Sequence, residues 1–77
     1  MDFEYQGKRY ATLRASDLPR DGMALELLTE GETVAEVFYS DASGEFTISL
    51  FRESLPLPVA ERLISVAREV LPPVAEG

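Results

Sequence analysis

At 77 residues with a formal charge of −7, the chain reads as one small acidic domain, residues 1–77, with no room for a second. Apolar residues make up 45% and charged residues 27%, a globular balance; the excess of carboxylates argues against nucleic acid as a partner, which needs positive charge to displace counterions from phosphates. There is no Cys, His or Trp, which removes disulfides, thiol chemistry, Cys/His zinc sites and every imidazole-based acid–base mechanism.

Turn residues punctuate the chain at regular spacing: Gly7, Asp21-Gly22, Glu30-Gly31, Ser43-Gly44, Pro56, Pro58 and Pro72-Pro73. The β-favouring runs between them predict an antiparallel β-meander of four to five strands, near 2–6, 9–15, 23–29, 33–40 and 45–51. One C-terminal helix near 58–71 is expected to pack on one face of that sheet, ahead of a tail at 72–77, which makes the class α+β.

In the first hairpin Phe3 and Tyr5 alternate with Asp2 and Glu4, Gly7-Lys8 is the candidate turn, and Ala11, Leu13 and Ala15 form a thin apolar row. Residues 16–22 are the longest irregular stretch, and a Pro-x-Asp-Gly turn accounts for their composition. The third strand has the apolar row Met23, Leu25 and Leu27. A three-residue connection, Glu30-Gly31-Glu32, sets that row across from Tyr39, Val37 and Ala35, whereas a two-residue Glu30-Gly31 turn sets Leu25 against Glu36. The longer connection is therefore expected.

Asp41-Ala42-Ser43-Gly44 reads as a four-residue hairpin loop with glycine where positive φ is needed. It pairs Ser40 with Glu45, hence Tyr39 with Phe46, Val37 with Ile48 and Ala35 with Leu50. Phe46, Ile48 and Leu50 alternate with Glu45, Thr47 and Ser49, the period of a sheet with one dry face. The helix presents Val59, Leu63, Val66, Ala67 and Val70 on one stripe and Glu61, Arg62, Ser65, Arg68 and Glu69 on the other. Its stripe is expected to cover the dry face. Pro58 suits the first turn, and Leu57 is expected outside the helix because a residue before proline avoids the α region.

One row does not fit a simple two-layer protein. Leu28, Val34, Phe38 and Phe51 are expected on the opposite, wet face beside Glu26, Glu36, Thr47 and Ser49. Phe38 and Phe51 are large to leave in water. Either the N-terminal hairpin or the tail folds over them, or the four residues are an interface, for a second copy or for a partner.

Chemistry finds little support. The single lysine, Lys8, sits in an expected turn, and the serines lack an imidazole base. Asp41-x-Ser43-x-Glu45 begins like a calcium loop but lacks the length and the flanking helices. Leu55-Pro56-Leu57-Pro58 lacks PxxP spacing and reads as a linker. No catalytic residue, metal site or cofactor is expected. The opening Met1-Asp2-Phe3-Glu4 is acidic where a signal peptide is basic, and no apolar run approaches a membrane span, so a soluble cytoplasmic protein without a membrane partner is expected.

Two functional readings lead. One is a non-enzymatic acidic interaction domain that binds a basic protein, the format of size and charge found in small inhibitor or immunity proteins. The alternative is a self-associating homodimer with an accessory or structural role. A carboxylate-based enzyme or metal binder is a remote third.

Overall fold

Each β-favouring run becomes a strand: β1 (Asp2–Tyr5), β2 (Lys8–Asp17), β3 (Gly22–Thr29), β4 (Glu32–Ser40) and β5 (Phe46–Leu50), followed by α1 (Leu57–Val70). The computed structural model describes residues 2–71; Met1 and the tail 72–77, with its two prolines, lie outside the described residues. The strands form one antiparallel sheet in the order β1-β2-β3-β4-β5, and α1 lies on one face of it, an α+β meander as expected. The thinnest extent is 18 Å, the depth of one sheet carrying one helix.

The β4–β5 hairpin follows its loop as expected. Tyr39 pairs with Phe46, Val37 with Ile48 and Ala35 with Leu50. The Ser40 N–H donates to the Glu45 carbonyl at 3.0 Å, the Gly44 N–H donates to the Ser40 carbonyl at 2.8 Å, and Gly44 takes φ of 73°.

The β3–β4 hairpin reaches the expected pairing by a different route. Glu30-Gly31 is a two-residue turn with φ of 54° and 79°, and it pairs Thr29 with Glu32 and Leu28 with Thr33. Continued unbroken, that register sets Leu25 against Glu36. A β-bulge at Val34 absorbs one residue, so that Leu27 pairs with Ala35, Leu25 with Val37 and Met23 with Tyr39. The same bulge moves Val34 off the wet face. At 1% exposure it joins the buried cluster under the helix, while Thr33 takes its place beside Leu28.

The first hairpin turns one residue earlier than expected. Gln6-Gly7, at φ of 51° and 81°, makes the turn, and Tyr5 pairs with Lys8. That phase sends Tyr10 into the core beside Phe3 and leaves Ala11, Leu13 and Ala15 on the wet face, opposite Leu28, Glu26 and Ala24. The expected irregular stretch at 16–22 shrinks to a turn at 18–21, because β2 runs on to Asp17 and β3 begins at Gly22.

The helix starts at Leu57, inside rather than outside the first turn. The Pro56 carbonyl accepts both the Val59 N–H (3.0 Å) and the Ala60 N–H (3.1 Å), which holds Leu57 and Pro58 in helical geometry against the pre-proline preference. Val59, Leu63, Val66 and Ala67 pack with Tyr10, Leu25, Leu27, Val34, Ala35 and Val37. At the far end Arg14 on β2 donates its Nη1–H to the Val70 carbonyl at 3.0 Å, a cation on the negative end of the helix dipole.

A helix is about 10 Å across and strands lie about 4.8 Å apart, so one helix covers the middle of such a sheet and not its full width. The expected cover over β5 is accordingly missing. Phe46, Ile48 and Leu50 share the helix side of the sheet yet remain 38%, 46% and 51% exposed. No helix among the described residues is long and apolar enough to cross a membrane.

Candidate interaction surface

The wet face of the sheet is set by register alone. From β2 it takes Ala11, Leu13, Ala15 and Asp17, from β3 Ala24, Glu26 and Leu28, and from β4 Thr33, Glu36 and Phe38. Asp2 and Glu4 extend it onto β1, with Arg9 beside Glu4.

The four residues expected to form an interface do not meet as one exposed surface. Val34 is in the core. Leu28 is half-buried on the wet face, and Phe51 is 55% exposed just past the end of β5, its N–H donating to the Val34 carbonyl at 2.9 Å. Phe38 does lie on the wet face but is only 8% exposed. Among the described residues its cover is the turn between β2 and β3 with the start of β3, not the N-terminal hairpin; the tail, the other expected cover, lies outside the described residues. The Arg20 guanidinium carbon sits 4.1 Å from the Phe38 ring centroid, and a side chain on Gly22 would bring its Cβ within 2.6 Å of the same ring.

Arg20 is held in place by acids on two sides. Its Nε–H donates to Asp17 Oδ2 at 2.6 Å and its Nη2–H to Glu36 Oε2 at 2.9 Å, while its backbone N–H donates to Asp17 Oδ1 at 3.2 Å. The side-chain hydrogen bond from Arg20 holds the Asp17 carboxyl below its ordinary range. Those to Glu36 and then Asp17 push the guanidinium up. The Asp17-x-x-Arg20 spacing was the visible signal for this clamp in the sequence; its stacking on Phe38, distant along the chain, was not.

At the centre of the face two carboxylates stand side by side. Glu26 and Glu36 are directly opposed across β3 and β4, an arrangement that like charges disfavour. Arg20 neutralises Glu36. Glu26 accepts one long hydrogen bond, from Thr33 Oγ1 at 3.4 Å, and no ion pair to it occurs among the described residues. Next to it in the ladder is Leu13, 53% exposed. A carboxylate without a cation beside an exposed leucine is complementary to an arginine, whose guanidinium needs the acid and whose methylene stem needs the apolar platform.

On the helix side, a crevice of about 290 Å³ opens between the β1–β2 turn and the segment before α1, with Lys8, Arg52 and the tyrosines Tyr5 and Tyr10 in its wall. Arg52 is already paired with Glu32, which weakens the crevice as an anion site. Among the described residues, no cluster of three or more carboxylates is placed to hold a metal ion. Compared with models of protein families, with curated proteins and with solved structures, the chain matches none.

Proposed function

We propose that this chain is a small acidic interaction domain, without catalysis of its own, that docks a basic protein through the wet face of its sheet. The observation that carries the reading is Glu26, unneutralised at the centre of the face and flanked by Glu36 and the exposed Leu13. Asp2, Glu4 and Asp17 surround it with further negative charge, against Arg9 and Arg20. A net charge of −7 on a body this size steers a cationic partner toward contact and repels competing polyanions. Neutralising a basic protein is the role such a format suits.

An NMR titration of the isotope-labelled protein with an arginine-rich peptide, beside a glutamate-rich peptide of equal length, tests this. Shifts centred on Leu13, Glu26 and Glu36 are expected with the basic peptide alone, weakening as salt is added. Glu26→Gln should cost about fivefold in affinity, the worth of one ion pair of about 1 kcal/mol. Unchanged binding by Glu26→Gln, or shifts confined to the helix side, would refute the assignment.

A further inference from the structure

We propose that β5 is a dimerisation strand, through which two copies of this chain join antiparallel about a two-fold axis at Ile48, fusing their sheets into one. The proposal is independent of the basic partner and concerns the other side and edge of the molecule.

The hydrogen-bond phase of the β4–β5 hairpin comes first. Ser40 bonds to Glu45, and the Phe51 N–H donates to Val34, so the residues in step with Glu45 and Phe51 (Thr47 and Ser49) turn their backbone groups toward β4. Phe46, Ile48 and Leu50 therefore turn theirs outward, along an edge of the sheet that pairs with no other strand among the described residues. An axis at Ile48 sets these three residues against themselves: Ile48 meets the partner's Ile48, and Phe46 meets the partner's Leu50. Every outward N–H then faces an outward carbonyl, roughly six bonds across the seam by the antiparallel rule.

The side chains agree with that register. Phe46, Ile48 and Leu50 all project on the helix side, where a cleft of about 170 Å³ separates β5 from Ile64, Ala67 and Arg68 of α1. Cross-strand apolar pairs of this kind stabilise a sheet. β5 has no charged residue within it to oppose a second copy; Glu45 precedes it, and Arg52, paired with Glu32, and Glu53 follow it.

The assembly also closes. Natural edge strands are guarded by charges, prolines, bulges or shortness, and β5 has none of these beyond its modest length. β1, the opposite edge, is a four-residue strand that includes Asp2 and Glu4, so a dimer offers only guarded edges to a third copy. An axis perpendicular to the sheet keeps both wet faces on one side, open to their partners. The seam is one strand wide and below the roughly 800 Å² per partner of a standard stable complex, so association should depend on concentration.

Sedimentation velocity over a concentration series tests this on the protein alone, without any basic ligand. The wild-type mass should rise toward twice the monomer and stop there. Ile48→Pro should stay monomeric with unchanged circular dichroism, because its lost N–H points away from β4. Ile48→Lys, which keeps the backbone donor but sets two like charges on the axis, should also be monomeric, and Leu13→Ala should dimerise like wild type. A wild-type monomer throughout the series, growth beyond two copies, or a dimer that survives both Ile48 variants would overturn the proposal.

Discussion

The two edges of the sheet are built from similar material and end differently. On β1, Phe3 stacks on Tyr10 with ring centroids 5.5 Å apart, and the Arg62 guanidinium lies over it at 5.0 Å. On β5, Phe46, Ile48 and Leu50 keep 38–51% of their surface exposed. Strand hydrophobicity does not explain the contrast, since β5 is the more regular apolar strand of the two. The tether of the helix does. Arg14 binds its last carbonyl from β2 and Arg62 reaches from it to β1, while toward β5 a cleft opens. With a single helix over a sheet wider than itself, the cations that fix its position also decide which edge is sealed.

Truncations at a covered and at a bare apolar position should break this comparison most strongly if it is wrong. Leu63→Ala, at a fully buried position under the middle of the sheet, should cost about 2–5 kcal/mol in chemical denaturation, and Ile48→Ala about 1 kcal/mol at most in the monomer. Equal losses would mean that β5 is covered after all. Gly22→Ala should follow, at about 1–3 kcal/mol, because its Cβ would fall 2.0 Å from the Tyr39 carbonyl oxygen and the strand would have to shift. Normal stability in that variant would show that the Phe38 side of the sheet is looser than its packing indicates.

Arg14→Ala should cost about 1 kcal/mol, the worth of one charge-assisted hydrogen bond at a helix end. Hydrogen exchange should quicken at Leu71, whose N–H donates to Ala67, and leave the β4-directed amides of β5 unchanged. Equal quickening at both would contradict the one-sided tether. The smallest effect is acid-dependent. Asp17 has a lower pKa folded than unfolded, so its contribution is complete at neutral pH and is lost as pH falls through the folded-state value. Phe38 ring shifts should follow that titration in NMR spectra and should cease to do so in Arg20→Ala.

How much of this was legible in the sequence varies with the range of the interaction. Asp41-Ala42-Ser43-Gly44 fixed the β4–β5 register because a loop of defined length leaves its flanking strands little choice. The rows Leu25, Leu27 against Val37, Ala35 followed from matching apolar faces. The turns were misjudged where a non-glycine residue takes positive φ: Gln6 and Glu30 both do so, and neither has the asparagine or aspartate that usually announces it. The lateral position of α1 was not legible, although the width of a sheet against that of a helix already implied that some apolar row would stay bare. The cover on Phe38 was missed for a related reason, since a stack between Arg20 and an aromatic two strands further along leaves no local pattern.

The bulge at Val34 behaves like a dislocation in a crystal. Counting residues around the β3–β4 hairpin requires one surplus unit, and the pairing beyond Ala35 is the same whether that unit sits in the connection or in the strand. Removing Val34 would iron out the defect while leaving every cross-strand partner on β3 where it is, so the loss would be one buried side chain rather than a slipped sheet. The hairpin thereby carries slack of one residue, and length changes in β4 that would ruin a regular ladder have somewhere to be absorbed.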